Sequence, residues 1–150
     1  MNNFSIIIPL YNEEENIIEL INEILISLKK IDKEKIEIIL VDDKSTDKTL
    51  DIIKNLKNDI SICVISNKKN SGQSFSIYQG VLKAKFETIV TIDGDRQNNP
   101  LDIPLLLEKY FLDESIVLVG GIRKNRKDNI LKIVSSKIAN KVRSFIFKDK

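Results

Sequence analysis

Through the first 120 residues, short runs of Ile, Val and Leu alternate with longer stretches whose apolar residues recur every three or four positions. "FSIIIPL" (Phe4–Leu10), "IEIILVDD" (Ile36–Asp43), "ISICVIS" (Ile60–Ser66), "TIVTID" (Thr88–Asp93) and "SIVLVGG" (Ser115–Gly121) are continuous enough to predict five strands buried on both faces. Between them lie helical patterns. Ile17, Ile21, Ile24, Leu25 and Leu28 share one helix face, with Asn12 predicted as N-cap, Glu15 three residues on, and Lys29 and Lys30 suiting the helix end. "STDKTLDIIKNL" predicts a second helix capped by Ser45 or Thr46. "QSFSIYQGVLKAK" predicts a third, with Phe75, Tyr78 and Leu82 on one face, Phe75 and Tyr78 expected in the core. "QNNP" predicts a fourth, with Asn99 as cap and Pro100 at the first helical position. Strand and helix in strict alternation predict an α/β fold: a mostly parallel sheet with helices on both faces.

Composition narrows the chemistry. The 150 residues include no histidine, which excludes Ser-His-Asp and Cys-His catalysis and every His-ligated metal site. A metal would be held by oxygen, which favours Mg²⁺ or Mn²⁺ over Zn²⁺. Cys63 is the single cysteine, so no internal disulfide forms; a small buried thiol is expected there. The N-terminus has no basic region and cleavage site of a signal peptide, and no apolar run approaches the roughly 18 residues that span a bilayer. The chain is therefore expected to be cytoplasmic, soluble or peripheral.

The formal charge of +2 hides an asymmetry. Residues 1–120 carry 14 Lys+Arg and 20 Asp+Glu, whereas residues 121–150 carry 10 and 2, a net +8. In that basic stretch Ile130, Val134, Ile138 and Val142 recur every fourth residue from about Asn129, with Lys132, Lys137, Lys141 and Arg143 among them. Two readings follow: a basic amphipathic helix for an anionic membrane surface, or a helix packed by its apolar face with solvated lysines opposite. The division expected is an α/β core over 1–120 and a basic segment of the same domain over 121–150. Nucleic acid is not expected as a partner, since stacking aromatics are few and no such motif occurs.

In parallel sheets ligands bind beyond the C-terminal strand ends. The polar groups there are Tyr11-Asn12-Glu13, Asp42-Asp43 and Asp93-Gly94-Asp95. Asp93 and Asp95 repel one another unless a positive charge lies between them; a divalent cation supplies it and could neutralise a diphosphate. Each piece also has a plainer reading: Asp-Gly-Asp as a turn, Asp42-Asp43 as a helix cap, Asn70-Ser71-Gly72-Gln73 as a loop. Their joint placement on one sheet edge favours the site.

Taken in order, "SIIIPLYNEEENI", "IEIILVDDKSTDKTLDII", "NKKNSGQSFSIYQGVLKA", "TIDGDRQNNPLDIPLLL" and "GGIRKNRKDNILKIVSSKIANKVRS" resemble the family 2 glycosyltransferases of GT-A fold. The nearest resemblance is to the polyprenyl- and dolichol-phosphate sugar synthases, and it covers nearly the whole chain. It implies inverting transfer of a sugar from a UDP- or GDP-linked donor to a polyprenyl phosphate, assisted by Mg²⁺ or Mn²⁺, at the cytoplasmic face of a membrane. By resemblance, Pro9, Tyr11, Asn12, Glu13 and Asp42 would line the nucleotide pocket, with Asn70 and Gly72 on the loop leading to the donor. Asp93, Gly94 and Asp95 would meet the diphosphate, Asp93 and Asp95 as catalytic residues, and Asp93, Asp95 and Gln97 would surround the metal. Arg123, Lys132 and Ser136 would hold the acceptor phosphate. Relatives continue beyond "SFIFKDK", so the fold is expected to be C-terminally truncated. Two rivals stay open: a family 2 transferase acting on a glycan hydroxyl, and a truncated nucleotide-binding module without turnover. A Rossmann dehydrogenase is disfavoured, because "PLYNEEE" stands where a GxGxxG would follow the first strand.

Overall fold

The computed structural model describes residues 2–56 and 59–121. Four of the predicted strands form: β1 (Phe4–Leu10), β2 (Ile36–Asp42), β3 (Ser61–Ser66) and β4 (Thr88–Thr91). They make one sheet in the order β3-β2-β1-β4, every pair parallel. β1 and β2 sit inside and are buried on both faces, as their unbroken Ile/Val/Leu runs require, whereas edge strand β3 is half-buried. Cys63 lies on that edge strand and is half-buried rather than enclosed.

Strand parity divides the apolar residues between two faces. Phe4, Ile6, Ile8, Leu10, Ile36, Ile38 and Leu40 point to one side. There α1 (Ile17–Ser27) contributes Ile17, Leu20, Ile21 and Ile24; α2 (Thr49–Lys54) contributes Ile53; and α4 (Ile103–Tyr110) contributes Ile103 and Leu107. Ile7, Ile39 and Val41 point to the other side, beneath α3 (Gln73–Lys83).

α3 is seated differently from its prediction. Its buried residues are Ser76 and Gly80, while Phe75, Tyr78 and Leu82 are 43%, 56% and 61% exposed. A Cβ on Gly80 would lie 2.5 Å from Ile7 Cγ2, well inside contact distance. The helix therefore lies on the sheet by its small residues, and the bulky stripe on the opposite side turns outward.

The fifth predicted strand does not form among the described residues. Ile116 N–H donates to Asp113 O, a local turn, and Val117 and Leu118 are 88% and 83% exposed. An apolar run becomes a strand only by pairing, and residues 115–121 make no ladder with the outer edge of β4. Helix starts also move. Asn12 does not cap α1, whose N-terminus is at Asn16; Asn12 sits in the left-handed region at φ 58°. Neither Ser45 nor Thr46 caps α2; Asp47 Oδ1 accepts from Thr49 N–H at the helix start. Asn99 does accept from Leu101 N–H, and Pro100 opens the 3₁₀ turn that leads into α4.

Candidate functional site

From β1 the chain winds outward through β2 to β3, then returns to add β4 on the other side of β1. Loops diverge at that reversal, leaving a crevice beyond the C-terminal ends of β1 and β4. A cleft of about 220 Å³ lies there, lined by Pro9, Leu10, Tyr11, Glu13, Asp43, Gln73, Ser76, Asp93, Gly94 and Asp95.

The walls are fixed by bonds between loops. Asn12 N–H donates to Ser45 Oγ (3.0 Å), Asn12 Oδ1 accepts from Thr46 N–H (2.8 Å), Glu13 N–H donates to Thr49 Oγ1 (2.8 Å) and Glu14 N–H to Asp47 Oδ2 (3.1 Å). The β1–α1 loop is thus tied to the β2–α2 loop. Among the described residues, the non-glycine positions with positive φ are Asn12, Lys44 and Arg96, and all three lie in loops at this sheet edge. Backbone strain of that kind persists only where surrounding bonds over-determine it.

Asp43 organises the wall on the α3 side. Its Oδ1 accepts from Asn67 Nδ2 (2.7 Å) and Ser71 N–H (2.9 Å), and Oδ2 accepts from Gly72 N–H (2.7 Å). Burial alone pushes its carboxyl pKa up, but the bonds from Asn67, Ser71, Gly72 and Ser76 outweigh burial and hold it below the ordinary carboxylate value. Gly72, at φ 89° with open space around it, supplies the left-handed turn that brings both amides to one carboxylate.

On the other side, the Asp-Gly-Asp turn leans against β1. A Cβ on Gly94 would lie 2.6 Å from Leu10 Cδ2, 3.2 Å from Glu13 Cγ and 3.3 Å from Pro9 O. The glycine is needed for this close approach. Asp93 Oδ1 accepts from Gln73 Nε2 (2.5 Å), Asp93 Oδ2 from Asn98 Nδ2 (3.3 Å), and Asp95 Oδ1 from Gln97 N–H (3.0 Å). Arg96 reaches away from the cleft to pair with Glu19 and Glu23 of α1.

The structure thus brings together Pro9, Tyr11, Glu13, Asp93, Gly94 and Asp95 of the predicted set. It does not bring Asp42, which is fully buried and accepts from Ser45 N–H (3.2 Å) and Ser66 Oγ (3.1 Å). Consecutive strand residues face opposite ways, so only one aspartate of the pair can reach the cleft; Asp43, on the α3 side, does so. Asn12 serves the loop staple, Asn70 and Gly72 lie outside the lining, and Gln97 lines a neighbouring hollow with Arg96, Asn98 and Pro100. Arg123, Lys132 and Ser136 lie outside the described residues. Sequence reasoning missed Asp43, Gln73 and Ser76 as lining residues. Strand parity shows that only one of Asp42 and Asp43 reaches the cleft but not which one, and nothing in the sequence marks Gln73 or Ser76.

Four lining residues, Glu13, Asp43, Asp93 and Asp95, are carboxylates, and none of the described lining residues is basic. No group of three or more Asp, Glu or Cys side chains converges into a metal cage among the described residues. Two carboxylates without a cage fit a hard divalent cation that completes its shell with ligand phosphate oxygens, the usual mode for Mg²⁺.

Comparison with known proteins accords with this geometry. The sequence model of the family described as "Glycosyl transferase family 2" matches residues 5–149. An undecaprenyl-phosphate 4-deoxy-4-formamido-L-arabinose transferase of Pectobacterium atrosepticum is 38% identical over 141 residues, covering 92% of this chain and 42% of the relative. That of Proteus mirabilis is 36% identical over 143 residues, covering 93% and 43%. The chain spans about two fifths of the length of these relatives. Among solved structures, S. aureus TarS 1-349 in complex with UDP-GlcNAc has a TM-score of 0.59 and 28% identity, covering 72% of this chain and 32% of that one. The mannosyltransferase PcManGT from Pyrobaculum calidifontis, in complex with GDP-Man and Mn²⁺, has a TM-score of 0.66 and 22% identity over 76% and 33%. The parallel sheet, the crevice at its reversal and the match along nearly the whole sequence agree, and the chain belongs to glycosyl transferase family 2.

Proposed function

We propose that this chain forms the donor-binding part of a glycosyltransferase that moves one sugar from a nucleoside-diphosphate sugar to a polyprenyl phosphate, with inversion at the anomeric carbon. One observation carries the reading: Asp93 and Asp95 flank a closely packed glycine at the mouth of a cleft that holds four carboxylates and no basic lining residue. A diphosphate alone would be repelled there; a diphosphate bridged to a divalent cation would be attracted. The relatives' names supply the acceptor class, and the UDP-GlcNAc complex of TarS supports a nucleotide-sugar donor.

Asp93 and Asp95 would hold Mg²⁺ or Mn²⁺, which when bound acts as a Lewis acid on the departing diphosphate. Gln73 orients Asp93 through its amide, and the backbone amide of Gln97 orients Asp95. Pro9, Tyr11 and Glu13 form the β1 wall, which the staple to the β2–α2 loop holds rigid for the nucleoside. In transfer, an acceptor phosphate oxygen forms a bond to the anomeric carbon as the carbon–oxygen bond to the nucleoside diphosphate breaks. That oxygen is already anionic at neutral pH, so the step needs no general base, in keeping with a chain that has no histidine. A lipid acceptor places the reaction at a membrane surface.

The test is calorimetric titration with UDP and GDP, each with Mn²⁺ and again with EDTA, on the chain and on Asp95→Ala. One nucleotide is expected to bind only with metal, and the variant to lose at least about tenfold in that affinity while its circular dichroism is unchanged. Equal metal-dependent affinity in the folded variant would overturn the reading. Radiolabelled transfer to undecaprenyl phosphate but not to glycan hydroxyls would then fix the acceptor.

A further inference from the structure

The outward stripe of α3 has no part in the cleft. Phe75, Tyr78 and Leu82 follow the i, i+3, i+7 spacing that aligns residues within roughly 60° on a helix, opposite the buried Ser76 and Gly80. Val81, beside them, is 43% exposed. In water such a stripe costs free energy, and a contiguous exposed apolar face marks an interaction surface. Lysines precede and follow the helix: residues 67–86 contain Lys68, Lys69, Lys83 and Lys85 and no carboxylate, with Glu87 just beyond and Glu37 accepting from Lys85 N–H. All four lysines are exposed.

We infer that this face of α3 is a docking surface for an anionic lipid bilayer, with Phe75, Tyr78 and Leu82 entering the headgroup region and the flanking lysines meeting lipid phosphates. Charge selects this occupant. A second copy brings the same four lysines and does not complement the face. An apolar stripe with lysines on its flanks is the arrangement that lies in a membrane interface. The first turn of the same helix lines the cleft through Gln73 and Ser76, so docking by α3 brings the cleft mouth near the leaflet that holds a lipid acceptor. The choice of a lipid as the anion rests on the polyprenyl-phosphate reading; the face itself does not depend on the cleft being filled.

The chain contains no tryptophan, so Tyr78→Trp makes a single fluorescent reporter on the stripe. With phosphatidylglycerol vesicles its emission is expected to shift to the blue and to be quenched by brominated acyl chains, less so at high salt, and with phosphatidylcholine vesicles to change little. The triple variant Phe75→Ser, Tyr78→Ser, Leu82→Ser is expected to bind phosphatidylglycerol vesicles at least about fivefold more weakly, with the same melting temperature and the same nucleotide affinity. Three outcomes overturn the inference. The reporter could stay unshifted while the chain cosediments with vesicles. The reporter could shift with protein concentration alone as sedimentation shows dimers. The triple variant could melt well below the parent, which would mean the chain covers the stripe itself. Nucleotide titration of the parent separates failure here from failure of the donor reading.

Discussion

The two faces of the sheet are covered by helices whose apolar residues obey the same spacing but point opposite ways. On the face of α1, α2 and α4, Ile17, Leu20, Ile21 and Ile24 interlock with Phe4, Ile6, Ile8 and Leu40 in a continuous aliphatic layer. On the other face, the fully buried apolar residues among those described are Ile7, Ile39 and Val41 with partly buried neighbours, and α3 presses on them with serine and glycine. The first face supplies most of the buried apolar area and hence most of the hydrophobic stabilisation. The second gives up that area, but its close helix brings Gln73 and Ser76 to the cleft and leaves a bulky stripe outside. An amphipathic period therefore locates a face without saying where it points.

Substitution can break this contrast. Leu20→Ala on the thick face should cost about 3 kcal/mol through lost burial and a residual cavity, whereas Leu82→Ala on the α3 stripe should change stability by no more than about 0.5 kcal/mol. Urea unfolding of both variants checks the pair, and equal losses would mean the stripe is buried. Gly80→Val should cost about 2 kcal/mol, because its Cβ would meet Ile7 at 2.5 Å and lift α3 from the sheet. The sharper readout is that metal-dependent nucleotide affinity falls with it, as Gln73 moves away from Asp93.

A smaller effect than that of Gly80→Val concerns the carboxylate that organises the wall on the α3 side. Asp43 has a folded-state pKa below its unfolded value, so between the two values the unfolded chain binds more protons. Its stabilisation is fully present above the unfolded value of about 4 and is lost as pH falls through the lower folded value. Asp43→Asn should cost about 1–2 kcal/mol at neutral pH and give a shallower acid limb in denaturation curves from pH 7 downward. A limb as steep as the parent's would leave the acid sensitivity with the other carboxylates held low, among them Asp47, where burial raises the pKa but the bonds from Thr49 and Glu14 prevail.

Element order and site edge are both legible in the sequence. Unbroken runs such as "SIIIPL" and "IEIILV" read as strands buried on both faces, and strands alternating with helices make a parallel sheet whose ligands lie at its C-terminal edge. That logic placed Tyr11, Glu13 and Asp93-Gly94-Asp95 together, and they share the cleft with Pro9, which the family resemblance supplied. It failed at Asp42-Asp43, where adjacent identical residues differ only in which face they meet. It failed again at "SIVLVGG", where the apolar run is present and the pairing is absent.

By itself the sequence determined the composition of each element, the parallel topology class and the carboxylate chemistry of the strand ends, because these follow from local period and residue type. Tertiary structure alone decided that Asp43 rather than Asp42 turns to the cleft, that Gly94 is required by Leu10 and Glu13, and that α3 shows Phe75, Tyr78 and Leu82 to solvent. Each of these depends on contact between residues far apart in the chain. The 2.5 Å approach at Gly80 and Ile7 appears in neither segment's own pattern, yet it sets which side of the helix faces the sheet.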